Sequence, residues 1–235
     1  MNRQKNKKNR DLWLGEKIKQ IPAGSRILDA GAGELQNKPL CSHLDYVSQD
    51  FGQFTGNNPN APGLGNDEQW DTSQIDLVCD ITDIPEPKES FDAVLCSEVF
   101  EHIPDPIAAL KELARLLKPN GKLLLTAPFN SLTHQAPYFF YSGYSRFFYE
   151  YWCKEFSLAI LELTQNGNYY DYLAQELQRL NSVGQKYSKV KMPIMIRVSK
   201  WIILQFLIKC SIRNKGSEEL LCFGYHLLAE KKQPK

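Results

Sequence analysis

The chain has little that would direct it out of the cytoplasm or onto a nucleic acid. Its first ten residues contain five basic residues and no apolar run, so we expect neither a secretory signal nor a membrane anchor there. Its six cysteines have no CxxC spacing, which favours reduced thiols. A formal net charge of +1 provides no general attraction to nucleic acid. These absences predict a cytoplasmic protein without a nucleic-acid partner.

Length and hydrophobic content predict the domain organisation. A chain of 235 residues, 43% of them hydrophobic, is long enough for one globular domain with a buried core. Residues 1–10 are predicted to form a disordered basic tail, and residues 11–235 a single domain. Within that domain we expect a mainly helical insertion at about residues 170–217.

Residues 27–34 (ILDAGAGE) join an apolar strand to a turn that predicts a nucleotide-like ligand. Gly31 and Gly33 permit torsions and a close ligand approach that a Cβ would obstruct. The dinucleotide fingerprint needs a third glycine, but Gln36 occupies that position. Glu34 would also repel a pyrophosphate at the following helix N-terminus. These two departures disfavour a dehydrogenase and favour a cationic ligand such as S-adenosylmethionine.

Three later apolar runs each have a polar residue at or next to their end, as expected at the carboxyl edge of a parallel sheet. The runs are residues 44–50, 75–81 and 91–97. Asp50 follows the glycine turn by about 20 residues, the position of an acid that binds a ribose diol. Asp80 is placed to accept a hydrogen bond from an adenine amino group, and Ile81 to pack on the adenine ring.

The second half of the predicted fold has two clear signals. Residues 105–118 place apolar side chains on one face, which predicts an amphipathic helix that covers the sheet before a fifth strand at residues 122–127. Residues 220–230 are typical of a late strand, and we expect its partner near residues 156–163.

In this order, the segments LDAGAGE, SQDF, CDITDIP, FDAVLCSEVFEHIPDP and LKPNGKLLLTAPF resemble the class I S-adenosylmethionine-dependent methyltransferases, and most of all their type 11 group. The resemblance covers roughly residues 12–163. It implies an α/β fold with a Rossmann-like, doubly wound sheet of seven strands that ends in an antiparallel hairpin. It also implies S-adenosyl-L-methionine as the cofactor. The predicted cofactor-binding residues are Asp29, Gly31, Gly33, Asp50, Asp80, Ile81, Ser97 and Glu98, the last two at the methionine end.

Two histidines are the candidate catalytic residues. Methyl transfer is an in-line displacement, so a base is needed only when the acceptor carries a proton. His134 is the stronger candidate base for a hydroxyl acceptor, because an imidazole titrates near neutrality. His102 is the second candidate, and a structural cap at the start of the next helix is an equal alternative for it.

A metal and a flipped base are both disfavoured. Some quinone-type O-methyltransferases of this class hold a divalent ion near two glutamates and a histidine, which here would be Glu98, Glu101 and His102. We nevertheless predict no metal. The segment after the fourth strand is SEVF, not the Asn-Pro-Pro-Tyr-like motif that holds a flipped nucleobase, which argues against nucleic-acid methylation.

Two segments leave their roles open. Residues 51–74 are rich in Gly, Asn and Pro and replace a helix; they are either a functional loop, with Trp70 the residue to watch, or a tolerated insertion. Residues 138–152 contain ten aromatic residues in fifteen positions. They are either a substrate lid, with Tyr138 or Tyr141 facing the ligand, or, for most of them, core packing.

Residues 177–217 contain nine Lys or Arg residues and no Asp or Glu. Within them, residues 192–212 are largely apolar but too often interrupted by charge to predict a membrane span. Three roles are open for this segment: packing in the core or over the cleft, a homodimer contact, or peripheral contact with a membrane. The core or dimer role is slightly favoured.

The sequence as a whole predicts a methyltransferase acting on a small-molecule acceptor, by O-methylation of a glycan, lipid or quinone-like compound. The alternative is a non-catalytic S-adenosylmethionine-binding protein with a regulatory or scaffold role. Membrane association of a cytoplasmic enzyme is compatible with both.

Overall fold

The computed structural model describes residues 5–56, 58, 60–64 and 69–233. Its strands are β1 (Arg26–Ala30), β2 (Asp45–Asp50), β3 (Leu77–Val78), β4 (Phe91–Ser97), β5 (Leu117–Pro128), β6 (Leu158–Asn166) and β7 (Gly224–Lys231). Its α-helices are α1 (Lys5–Lys19), α2 (Pro106–Leu116), α3 (Arg146–Glu155), α4 (Tyr169–Val183) and α5 (Ile194–Ile212). Short 3-10 segments include Phe100–His102, directly after β4.

The strands form one sheet in the order β3-β2-β1-β4-β5-β7-β6. β1 pairs in parallel with β2 and β4, and β5 is parallel to β4 but antiparallel to β7. This confirms the predicted seven-stranded, doubly wound fold and its late antiparallel strand. Because the chain turns back from β3 to the other side of β1, the topological switch point lies between β1 and β4. Ligands bind such sheets outside the carboxyl ends of the strands at that point.

Helices pack against the sheet through apolar side chains. Trp13, Leu14 and Ile18 of α1 join one buried cluster with residues of three strands, including Ile27 and Leu95. The predicted helix at residues 105–118 is confirmed as α2, which Asp105 caps by accepting a hydrogen bond from Ala108 N at 2.9 Å. The strands that carry the candidate site are therefore held by a continuous core.

The third strand is shorter than predicted, with two residues instead of the seven from 75 to 81. β3 is an edge strand, and β2 is its one partner among the described strands. The carboxylate of Asp76 accepts hydrogen bonds from Ser48 N and Oγ, so a side chain replaces part of the backbone ladder. The apolar pattern of residues 75–81 predicted a full strand because it carries no information about this side-chain contact.

Residues 5–10 are helical, so the prediction of a disordered tail does not hold for them; residues 1–4 lie outside the described residues. Lys5 Nζ forms an ion pair with Asp171 Oδ2 at 2.7 Å. Asn9 Nδ2 donates to Asn166 Oδ1 at 2.9 Å, and Asn166 in turn donates to Asn6. These polar contacts stabilise a segment whose composition alone is typical of disorder.

The described residues fall into two compact units. One is drawn from Met1–Arg10 and Gln165–Phe223, and the other from Asp11–Thr164 and Gly224–Lys235. In the first unit, α4 packs against α5, and Ser211 Oγ donates to Asp171 Oδ1 at 2.8 Å. The predicted helical insertion thus contains α5 and most of α4. None of the described helices has the length and apolarity needed to cross a bilayer.

Candidate active site

The glycine turn at the end of β1 has the geometry that its sequence predicts. Gly31 and Gly33 have φ values of 75° and 53°, which L side chains rarely adopt. The amides of Gly31 and Ala32 both donate to Gln49 O, at 2.8 and 2.9 Å. A Cβ at Gly31 would lie 2.5 Å from a methyl carbon of Val99. The turn therefore depends on glycine here, and it lies at the switch point of the sheet.

The long loop after β2 reaches this turn through Trp70. A Cβ built at Gly33 would lie 2.8 Å from Cζ3 of the Trp70 indole. The indole packs edge-on against Phe54, with ring centroids 5.1 Å apart. Trp70 was the residue to watch in this loop, and its contact with Gly33 favours the functional alternative. Residues 57, 59 and 65–68 of the loop lie outside the described residues.

Asp50 links the two loops at this edge of the sheet. Its Oδ2 accepts a hydrogen bond from Gly33 N at 3.0 Å, and its Oδ1 accepts one from Gly52 N at 2.9 Å. A carboxylate has about four acceptor positions, so two backbone bonds leave capacity for a diol. The position of Asp50 fits the predicted ribose contact, which stays a prediction.

Asp29 is a buried acid with one carboxylate oxygen in use. Its Oδ2 accepts from Tyr46 Oη at 2.7 Å and from Asn37 Nδ2 at 3.4 Å. Its Oδ1 has no hydrogen-bond partner among the described residues. Burial raises the pKa of Asp29 to about 6. A buried acceptor of this kind fits a cationic ligand group, such as the amino group of S-adenosylmethionine.

The other predicted cofactor residues differ in how fully their side chains are engaged. Asp80 is exposed, and its Oδ1 accepts from Thr82 N and Oγ1 at 2.8 and 2.7 Å, while Ile81 is buried. Ser97 and Glu98 share Thr126: its Oγ1 is 2.9 Å from Ser97 Oγ and donates to Glu98 Oε1 at 3.0 Å. All four lie at or just beyond the ends of β3 and β4, and their cofactor contacts stay predictions.

The two predicted catalytic histidines are neighbours. Their rings are nearly perpendicular, with centroids 4.7 Å apart. Nδ1 of His102 is 2.5 Å from Tyr138 O, and Nδ1 of His134 is 2.9 Å from Leu132 O. A carbonyl can only accept, so in the neutral rings each Nδ1 carries the hydrogen and each Nε2 keeps its lone pair.

Both lone pairs lie near Glu101, which sequence reasoning considered only as a metal ligand. Nε2 of His102 is 3.7 Å from Glu101 Oε1, and Nε2 of His134 is 3.8 Å from the same oxygen. Burial, followed by the proximity of His134, lowers the pKa of His102 to about 4. His102 is therefore neutral at neutral pH and a weak base, which agrees with the preference for His134.

The donor atoms of Glu101, His102 and His134 all lie within 4.8 Å of one another, and two imidazoles with a carboxylate are ligands suited to a divalent ion. This set differs from the one considered from the sequence, because it includes His134 in place of Glu98. The Glu98 carboxylate instead accepts the bond from Thr126. The expected absence of a metal stays a prediction.

The aromatic segment combines both roles considered for it. Tyr149 is fully buried, and Tyr144 Oη donates to Phe100 O at 2.7 Å, so these residues belong to the core. Tyr138 packs edge-on against Phe51 with centroids 4.9 Å apart, beside the carboxyl edge. Tyr141 is half-exposed, and its hydroxyl donates to Pro104 O. Of the two tyrosines considered for the ligand, Tyr138 is the one with contacts toward the ligand edge.

Known methyltransferases are similar to this chain in sequence. Two models described as "Methyltransferase domain" match the chain, the type 11 model at residues 28–125 and a second at residues 77–176. A ubiquinone biosynthesis O-methyltransferase of Xanthomonas oryzae pv. oryzae is 37% identical over 106 residues, which are 44% of this chain and 43% of that protein. The chain thus aligns with less than half the length of these curated relatives.

Solved structures share the fold at low identity. The phosphoethanolamine N-methyltransferase 2 of Haemonchus contortus, solved with S-adenosyl-L-methionine, has a TM-score of 0.56 at 16% identity, covering 96% of this chain and 53% of that chain. The [4+2]-cyclase SpnF has a TM-score of 0.57 at 15% identity, covering 94% and 81%. These matches agree with the doubly wound sheet seen here.

The sheet topology and the two family models together give residues 28–176 the fold of the class I S-adenosylmethionine-dependent methyltransferases. Within that class, the segment from residue 28 to residue 125 belongs to the type 11 methyltransferase domains, as its motifs predicted.

Proposed function

We propose that the protein transfers a methyl group from S-adenosylmethionine to a hydroxyl oxygen of a small, quinone-like acceptor. The observation that carries this proposal is the convergence of two imidazole Nε2 atoms on Glu101, next to the segment that follows β4. A base beside the ligand edge is useful when the acceptor must lose a proton. The similarity to ubiquinone biosynthesis O-methyltransferases supports the same class of acceptor.

The cofactor would lie along the carboxyl edge of β1 and β2. When bound, S-adenosylmethionine supplies a methyl group made electrophilic by its sulfonium. The glycine turn permits close contact with bare backbone, and Asp50 offers its remaining lone pairs to the ribose. Asp29 Oδ1, which has no partner among the described residues, would accept from the amino group. These residues hold and orient the donor.

His134 takes the acceptor proton in this proposal. The sulfonium of a bound cofactor would supply the methyl group and would leave as a neutral thioether, while His134 Nε2 would take the hydroxyl proton from the acceptor oxygen. Glu101 stabilises the resulting imidazolium, because its Oε1 lies 3.8 Å from that nitrogen. His102 stays neutral and keeps the neighbouring ring in place.

A phenolic hydroxyl fits this base better than a sugar hydroxyl. A phenol ionises near pH 10, within a few units of imidazole, so its proton can be moved at modest cost. The rings of Phe51, Phe54, Trp70 and Tyr138 form edge-on pairs at the ligand edge. Aromatic side chains of this kind favour a planar aromatic acceptor over a glycan.

The test is methyl transfer to a panel of catechol, monophenol and sugar acceptors, with S-adenosylhomocysteine formation measured by mass spectrometry. We expect turnover with the phenolic acceptors, and a decrease of kcat by about 100-fold or more in His134→Gln. His43→Gln is the matched control, because that imidazole contacts Ile21 O away from the site. A His134→Gln enzyme as fast as wild type would contradict the role of the base.

A non-catalytic, S-adenosylmethionine-binding role is the second candidate. The fold similarity to the [4+2]-cyclase SpnF shows that this architecture is not confined to methyl transfer. Binding of S-adenosylmethionine without turnover of any acceptor in the panel would favour this candidate. The cytoplasmic location and the homodimer stay predictions.

A further inference from the structure

α5 presents an apolar surface that the described residues do not cover. Most of its apolar side chains are exposed: Ile194, Met195, Ile196, Val198, Trp201, Ile202, Ile203, Phe206 and Ile212. Among the described side chains of this helix, Leu207 alone is fully buried. The sequence slightly favoured a core or dimer role; the core part of that prediction holds for little of the segment, and the dimer contact stays a prediction. An apolar surface of this extent marks a site that meets another surface.

The sequence segment that contains α5 is rich in basic residues. Residues 177–217 contain nine Lys or Arg residues and no acid. Arg197 and Lys200 lie on the helix itself, three residues apart, and so share a row that differs from the row of Ile194, Val198 and Ile202. Basic residues within an exposed apolar helix surface can contact anionic head groups while the apolar side chains enter the lipid. The aliphatic stems of the basic residues can pack on the apolar layer while the charges reach the head groups.

A cavity near the end of α5 adds a second basic feature. It has a volume of about 600 Å³ and is lined by Lys209, Arg213 and Lys215, together with Phe206 and the single acid Glu219. Three cations and one carboxylate give it a net positive lining. An anionic head group beside an apolar ring matches this composition.

We propose that α5 docks on the surface of a membrane that contains anionic phospholipids. Spanning is not the mode, because none of the described helices is long and apolar enough to cross a bilayer. A second copy of the chain would bring the same cations to the interface, where like charges repel. The exposed apolar residues lie on several sides of the helix. Fluid lipid can surround such a helix, whereas a single groove on a partner protein would cover one side of it. A 19-residue helix would lie about 28 Å along the membrane.

The proposal is tested by flotation of the full-length protein with vesicles of phosphatidylcholine alone or mixed with phosphatidylglycerol. We expect the wild-type protein to float with the anionic vesicles and to remain in solution with the neutral ones. The double variant Trp201→Ser, Ile202→Gln should lower the partition coefficient at least tenfold. Arg197→Gln with Lys200→Gln should lower it about 30-fold on the anionic vesicles.

A matched control tests whether flotation depends on the location of the apolar residues on α5 or only on the loss of exposed apolar side chains. Trp201 and Ile202 are 61% and 56% exposed, and Tyr151 and Leu161, in the other compact unit, are 58% and 52% exposed. Tyr151→Ser with Leu161→Gln should leave flotation unchanged. Circular dichroism melting of each variant establishes that it is folded.

Three outcomes would overturn the proposal. The first is wild-type protein that does not float with anionic vesicles. The second is equal loss of flotation in the α5 double variant and in its control. The third is a dimer, measured by light scattering, that persists with vesicles present and dissociates in the Trp201→Ser, Ile202→Gln variant, because that result makes the helix a contact between copies.

Discussion

The carboxyl edge of β1 and the surface of α5 are both marked in the sequence, but they differ in what completes them. At the edge of the sheet, the turn at Gly31 and the carboxylate of Asp50 are already bonded to backbone groups of this chain. On α5, apolar residues such as Trp201 and Ile202 stay exposed among the described residues. A motif that organises its own backbone predicts a local structure, whereas an uncovered apolar helix predicts a partner outside the chain.

The largest effect that would test this contrast is expected at Gly31. Gly31→Ala adds the cost of a left-handed residue to a 2.5 Å contact with Val99, so we expect a loss of about 4 kcal/mol in the free energy of unfolding. Gly24→Ala is the control, since its φ is 78° and no atom lies within 4 Å of the new Cβ. It should lose only about 1 to 2 kcal/mol. Urea denaturation measures both, and equal losses would show that the turn is not tightly packed.

The next effect concerns buried Asp29 and partly exposed His102 at the sheet edge, which contribute with opposite signs to the pH dependence of stability. The pKa of Asp29 is raised to about 6, so between about pH 4 and 6 the folded state keeps a proton that the unfolded state releases, and stability falls as pH rises. The pKa of His102 is lowered to about 4, so between about pH 4 and 6.5 the unfolded state binds the extra proton, and stability rises. Each group changes the free energy of unfolding by about 3 kcal/mol over its pH range, and in the wild-type protein the two changes largely cancel.

Single substitutions should expose each contribution. In EDTA, the stability of Asp29→Asn should increase between pH 4 and 6.5, and that of His102→Gln should decrease over nearly the same range. Denaturation by urea at several pH values measures both slopes. Slopes of the same sign in the two variants would contradict this description of the sheet edge.

The smallest effect is expected on α5. Ile202→Gln should change the free energy of unfolding by less than about 0.5 kcal/mol, because the side chain is exposed. Leu207→Ala, five residues further along the same helix, removes a buried side chain and should cost about 2 to 3 kcal/mol. The pair is compared by thermal melting in the absence of lipid. A large loss in Ile202→Gln would mean that the chain covers this surface after all.

The sequence predicted those parts of the fold whose partners are close along the chain or follow from strand order. The glycine turn, the acid at the end of β2 and the capped helix α2 are of this kind. The convergence of Glu101 with His134 was not predicted, because it depends on tertiary placement. Leu64 pairs with His134 through a bridge in which Leu64 N donates to Thr133 O, and Tyr138 O meets His102. No local pattern encodes these contacts.

The helical start of the chain was missed for a related reason. Lys5 and Asn9 find their partners about 160 residues away, at Asp171 and Asn166. A run of like charges without apolar residues is typical of disorder, so only those contacts make this segment part of a folded unit. The short third strand was also missed because it depends on a contact between distant residues. Asp76 supplies a side-chain acceptor to Ser48 in place of a backbone hydrogen bond.

The most direct test of the central claim, that S-adenosylmethionine binds at the carboxyl edge of β1 and β2, is calorimetric titration of the wild-type, Asp50→Ala and Asp45→Ala proteins. Asp45 is an exposed acid at the opposite end of the same strand, which makes it a matched control. We predict that the wild-type protein binds S-adenosylmethionine and S-adenosylhomocysteine but not NAD. Asp50→Ala should lose about 1 to 3 kcal/mol of binding free energy, and Asp45→Ala should lose none. Failure of the wild-type protein to bind S-adenosylmethionine, or equal affinity in all three proteins, would contradict the account.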